Sequence, residues 1–153
     1  MSNLIIIFLA SFLIWFMFVS LLVLWVIDGR IKKEQVLHAF LASLISYIVT
    51  LVIKGLLPAA RPFELNGKQP LIVLVHTGGA FPSLHTAVAF ALAFSIWLHN
   101  KKIGTIFLIM AVFVGLGRIW GNVHFLADIL GGIVIGITTA YIIKRLHLFG
   151  LLK

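Results

Sequence analysis

An all-α integral membrane protein, a bundle of about five transmembrane helices, is the fold class this sequence predicts. Three observations carry the prediction. Of 153 residues, 62% are apolar and 10% charged, whereas about a quarter of the residues in soluble domains carry charge. The first apolar run, residues 4–27, is uncharged and long enough to cross about 30 Å of hydrocarbon as a helix. Further apolar runs follow it across short polar gaps.

The first run lacks a positive leading segment, exceeds the length of a secretory h-region and has no small-residue cleavage site, so it is expected to be a retained span. The next spans are expected at 36–53, about 84–98, 103 to about 117, and about 125–143. Between them, residues 63–81 contain LIVLV, too short to cross and flanked by Pro70, Gly78 and Gly79. That stretch is expected to lie at the interface or to re-enter, and it could form a lid. No Ser/Gly-rich linker or charge block interrupts the chain, which predicts one domain over residues 1–153.

Charge placement orients the bundle. Arg30, Lys32 and Lys33 fall in the first gap, Lys101 and Lys102 in the third, and Lys144, Arg145 and Lys153 in the tail. Alternate gaps lie on one face, and Lys and Arg accumulate on the cytoplasmic side. This predicts a multi-pass protein of the cell inner (plasma) membrane with its N-terminus outside and its C-terminus cytoplasmic. The formal net charge of +8 is spread over scattered basic residues with no stripe, which argues against a nucleic-acid partner. There is no cysteine, hence no disulfide, thiolate nucleophile or zinc–cysteine site.

Lys54, Arg61, Lys68 and Arg118 are left on the outer face, where charges near hydrocarbon are costly unless paired, solvated or used. Three segments supply the polar groups there: Lys54-GLLPAA-Arg61-Pro62, Phe81-Pro-Ser83-Leu-His85, and Arg118-IWGNV-His124-FLA-Asp128. Lys54, Arg61 and Arg118 are donor-rich cations suited to phosphate oxygens. Ser83 stands at the expected start of a helix, where N–H groups and the helix dipole favour an anion. His124 and Asp128 are four apart, on one helical face. The carboxylate can hold the imidazole in one tautomer and leave the other nitrogen to attack, while His85 can protonate a leaving oxygen. Metal-ligand histidines would not call for three cations around them, so no metal and no cofactor are expected.

These segments resemble the signature of the type 2 phosphatidic acid phosphatase (PAP2) superfamily: K-x6-R-P, then P-S-G-H, then S-R-x5-H-x3-D. The match keeps order and spacing from Lys54 to Asp128. The resemblance implies a metal-independent membrane lipid phosphatase working through a phosphohistidine. Lys54, Arg61, Ser83 and Arg118 would bind the phosphate. His124 would be the nucleophile, Asp128 its orienting partner and His85 the acid. Two positions depart from the signature: Leu84 replaces its glycine and Gly117 its serine.

The expected partner is a membrane lipid phosphate, with undecaprenyl diphosphate first and phosphatidylglycerophosphate, phosphatidic acid or a lipid A phosphate as alternatives. A small anion transporter or channel is the non-enzyme alternative, and it requires polar residues along the spans, which the inner halves almost lack. His38, His99 and His147 are expected to be solvated or interfacial, and His76 belongs to no motif. Gly132 and Gly136 are expected to serve close packing within the bundle rather than a dimer face; the oligomeric state is not legible.

Overall fold

The computed structural model describes residues 2–26, 31–74 and 78–148, the side chains of residues 147 and 148 excepted. Arg30, His76 and Lys153, and the side chain of His147, lie outside the described residues. Among those described there are helices and no strands.

Helix α1 runs Asn3–Val26 and contains a π-helical turn at Phe8–Phe12. Helix α2 is Lys33–Leu56, followed by the single-turn α3, Pro62–Asn66. Helices α4, α5 and α6 are Leu84–His99, Lys101–Trp120 and Leu126–Leu148. Four of them, α1, α2, α5 and α6, are long and apolar enough to cross a membrane. α4 has 16 residues, about 24 Å at the helical rise, and it forms the centre of the bundle.

α4 can be central because of its small residues. Ala87, Ala89, Ala91 and Ala93 are fully buried, and they let α2, α5 and α6 close on α4 from three sides. Gly132 and Gly136 of α6 lie directly against it: a Cβ on Gly136 would clash with the Ala87 carbonyl oxygen. These two glycines therefore pack within the bundle, as expected. α1 lies on α5 and barely touches α2, which leaves a gap between α1 and α2 at one end.

The helices extend beyond the apolar runs read from the sequence. α2 continues to Leu56 and α5 to Trp120, so Lys54 and Arg118 sit in last helical turns rather than in gaps. At those C-termini the helix dipole favours a cation, and the N-termini of α4 and α6 open at the same end.

Two expectations are corrected. His38 is buried rather than solvated, its Nδ1 3.1 Å from Nε2 of His99, so the pair ties α2 to α4 at the end opposite Lys54. The spans are also not purely apolar inside: Ser43, Ser46 and Thr50 of α2 are buried, with hydroxyls that have no hydrogen-bond partner among the described residues. They fall on the side of α2 packed by α4 and α6, where small side chains allow close approach.

Of the segment expected at the interface, residues 67–74 and 78–81 are bonded to α1, α2 and the turn after α5. Gly67 caps α3 in the left-handed conformation, and the chain then runs extended across the end of the bundle. Leu71 N–H donates to Gly121 O at 3.0 Å and Val73 N–H to Ser11 Oγ at 3.3 Å.

Candidate active site

Lys54 ends α2 with its Nζ donating to the carbonyls of Gly79 at 2.5 Å and Ala80 at 3.1 Å. Arg61 is the N-cap of α3: Pro62 follows at N1, and Glu64 Oε2 accepts from the Arg61 N–H at 2.8 Å. Its Nε donates to Gly78 O at 3.3 Å. Both cations thus hold the segment that leads into α4, which Ala80 N–H also fastens to Ala59 O at 2.8 Å. Gly78 has φ +108°, and a Cβ on Gly79 would come within 2.9 Å of Leu57 O. Other residues would be strained or would clash at these positions.

Ser83 is fully buried where α4 begins. Its N–H donates to Asp128 O at 2.9 Å, and its hydroxyl accepts from Thr86 Oγ1 at 3.0 Å, keeping its own proton to give. Leu84 and His85 form the first turn of α4.

Arg118 in the last turn of α5 is 2% exposed. Its NH1 donates to Ala10 O at 3.0 Å, a carbonyl in the π-helical turn of α1. π turns break the regular hydrogen-bond ladder and recur at functional sites. Gly117, the departure from the family signature, is explained here: a Cβ would stand 2.7 Å from Ala10 N and from Leu9 C. α1 occupies the space a serine would need, and its backbone holds the neighbouring arginine.

The chain then turns through Asn122 at φ +62°, a left-handed position that asparagine tolerates. Its side chain exchanges two hydrogen bonds with Asn66, at 2.8 and 3.1 Å, and donates to Lys68 O at 3.0 Å. The loop after α3 is thereby stapled to the turn that presents His124. Asp128 Oδ2 accepts from the Phe125 N–H at 2.8 Å and from His124 Nδ1 at 3.3 Å. Nε2 remains as the nitrogen available for chemistry.

Lys54, Arg61, Arg118, His85 and His124 line one cavity of about 450 Å³. Ser83 and Asp128 stand behind its wall. Two buried guanidinium atoms, Arg61 Nη1 and Arg118 Nε, have no hydrogen-bond partner among the described residues. His124 is 3% exposed. Burial, the largest cause, lowers its pKa from 6.5 to about 4, with the charges of Arg118, Lys54 and Arg61 adding to the fall and the Asp128 hydrogen bond opposing it. The imidazole is therefore neutral, with a lone pair to share. Burial also pulls Arg61 below its ordinary value, against Glu64 and Asp128; a guanidinium stays charged all the same.

All seven site residues read from the sequence converge at this end of the bundle. The sequence reading did not foresee Ala10, the Asn66–Asn122 staple, or the apolar wall formed by Ile14, Trp15, Phe18, Tyr47 and Leu51. The mismatch at Gly117 was the one signal that α1 belongs to the site.

Gly117→Ser, which restores the signature residue, is expected to impair the protein. It should displace α1 from Arg118 and lower turnover about tenfold or more, since losing one aligned donor can cost about a hundredfold. Assay of the purified variant checks this; undiminished turnover would contradict the role given to the α1 contact.

Comparison with known proteins agrees with this geometry. The PAP2 superfamily matches residues 35–149. The bacitracin transport permease protein BcrC of Bacillus licheniformis is 29% identical over 140 residues, 92% of this chain and 69% of that protein. The undecaprenyl-diphosphatase BcrC of Bacillus subtilis is 29% identical over 126 residues, 82% of this chain and 64% of that protein. This chain thus spans about two thirds of the length of both. The crystal structure of Aquifex aeolicus LpxE superposes with a TM-score of 0.77 at 26% identity, covering 95% of this chain and 88% of that one. With its family match covering most of the chain, its fold shared and its three polar segments gathered around one cavity, this multi-pass membrane protein belongs to the PAP2 superfamily.

Proposed function

We propose that this PAP2-type phosphatase hydrolyses a prenyl diphosphate, undecaprenyl diphosphate in the first place, to the monophosphate at the extracytoplasmic face of the plasma membrane. The observation that carries the reading is a pair of buried guanidinium atoms, Arg61 Nη1 and Arg118 Nε, that have no partner among the described residues and belong to side chains lining the cavity that His124 also lines. Such donors are costly to leave unmade unless an anion completes them. Three cations against two carboxylates, Asp128 and Glu64, leave positive charge that suits a phosphorylated anion. The undecaprenyl-diphosphatase name of the B. subtilis relative supports the same substrate.

The terminal phosphoryl group rests among Lys54, Arg61 and Arg118, with the hydroxyl of Ser83 as a further donor. His124 Nε2 attacks phosphorus, the N–P bond forms, and the P–O bond to the lipid monophosphate breaks. His85 gives its proton to that leaving oxygen. Asp128 holds Nδ1–H and stabilises the cationic phosphohistidine. Water, deprotonated by His85, then attacks phosphorus and releases inorganic phosphate, leaving both histidines as they began. Positioning and charge stabilisation supply most of the rate in such transfers.

Phosphate release from vesicles containing undecaprenyl diphosphate tests this. His124→Ala is expected to abolish measurable turnover and Arg118→Ala to lower kcat by about a hundredfold or more. Wild-type release no greater than that of His124→Ala would overturn the reading, and retained function in that variant would favour transport.

The pH behaviour follows from burial. An ordinary imidazole gains its proton as pH falls through 6.5, whereas His124 should stay neutral until near 4. Histidine NMR in detergent should show this low titration, and added inorganic phosphate should raise it, because a nearby anion favours the cationic ring. A His124 that titrates at the ordinary value would contradict the buried, cation-flanked geometry.

Orientation is read from loop charge. The chain has no native cysteine, so single cysteines at Lys101 and Gly67 report it directly. Gly67 should react with an impermeant reagent from outside and Lys101 should not; the reverse result would invert the topology.

A further inference from the structure

The cavity has two unlike sides. One carries the cations and the two histidines; the other opens between α1 and α2, with Trp15, Tyr47 and Leu51 at its edge. Those three residues are 67%, 42% and 45% exposed on the outside of the bundle, which in a membrane-spanning helix faces hydrocarbon. The gap closes at Phe18 and Phe40, whose ring centroids are 5.3 Å apart. The opening is therefore lateral, and a lipid chain can lie in it while its phosphates reach the cations.

Leu84 brings an apolar side chain to the same first turn of α4 that carries His85. It lines the cavity with His85 and Val88 of the same helix, and it follows Ser83 directly at the start of α4. Apart from the charged residues and the histidines, the polar side chains lining the cavity are Trp15 and Tyr47, both at its exposed edge. Among the described residues, Ile14, Phe18, Leu51 and Val88 line the same cavity with hydrocarbon, while the hydroxyls of Ser83 and Thr86 are fully buried and bonded to each other.

Building on the phosphatase reading above, we infer that Leu84 determines specificity: it selects lipid phosphates whose hydrocarbon begins at the phosphorylated carbon and disfavours those built on glycerol. A prenyl diphosphate presents methylene and methyl-branched carbons just beyond its phosphates, which Leu84 and the apolar wall can contact. A glycerol-based lipid presents ester or hydroxyl oxygens within a few bonds of phosphorus. Buried beside Leu84, those oxygens lose water and gain no partner, and unpaired polar groups give far stronger discrimination than a missing methylene does. A smaller residue admits water and exposes first-turn N–H groups of α4, which have no intrahelical acceptor. Leu84 so takes the place of glycine in the signature because this site needs an apolar wall there.

The test compares kcat/KM on vesicles containing undecaprenyl diphosphate or diacylglycerol diphosphate. The two substrates share the diphosphate and differ where Leu84 acts. Wild type should prefer the prenyl substrate at least tenfold. Leu84→Ala and Leu84→Gly should shrink that preference tenfold or more by gaining on the diacylglycerol substrate, and Leu84→Met should keep it. A merely structural role would lower both activities together and leave their ratio unchanged, so an unchanged ratio in active Leu84→Ala overturns the inference. If Leu84→Gly does not fold, Leu84→Ala decides. Equal or better wild-type turnover of diacylglycerol diphosphate defeats the inference while the phosphatase reading stands. Release from neither lipid defeats both.

Discussion

Asp128 is the residue on which the rest of the structure depends, because its carboxylate and its carbonyl fasten three parts of the molecule at once. One carboxylate oxygen accepts both the Phe125 N–H, at the start of α6, and Nδ1 of His124. The carbonyl of the same residue takes the Ser83 N–H, where α4 starts. The first of these contacts begins a helix, the second sets a tautomer, and the third locks the two helix N-termini side by side. A carboxylate near a helix N-terminus is favoured by the dipole as well. Asp128→Asn would keep the size and lose the charge that stabilises a cationic imidazole, so it separates packing from chemistry.

Around that contact the protein holds more positive charge than its side chains can neutralise. Backbone carbonyls absorb part of the excess: Gly78, Gly79 and Ala80 accept from Arg61 and Lys54, and Ala10 accepts from Arg118. What stays unsatisfied among the described residues, the two guanidinium atoms, is the set of donors that the proposed function gives to an anion. Because these donors are already held by backbone carbonyls, an anion bound there would need little reorganisation. The same cations, together with burial, keep His124 neutral. In the proposed reaction, anion binding and nucleophile activation would be one electrostatic arrangement.

Close packing delivers this arrangement. The alanines of α4 and the glycines of α6 bring four helix ends to one place, and Gly117 lets α1 lie against α5. α1 then serves twice: its π turn steadies Arg118, and its side chains wall the lateral opening. At the far end His38 and His99 close α2 on α4, away from the chemistry.

The sequence by itself determined the class and the order of the helices, and it named seven polar residues that the fold gathers at one end of the bundle. Hydrophobic length is set by the bilayer, and charges are so expensive at its edge that each one stands out. Element ends were less legible: Lys54 and Arg118 proved to be helical, since a cation in a last turn reads like the start of a gap. The tertiary structure alone decided what surrounds the polar residues. Ala10 lies 108 positions from Arg118 and contributes a carbonyl, a group every residue owns, so no motif could announce it. The burial of His38 and the faces of Trp15 and Tyr47 were equally hidden. In a membrane span nearly every position is apolar, and only packing separates the side chains that face lipid from those that line a site.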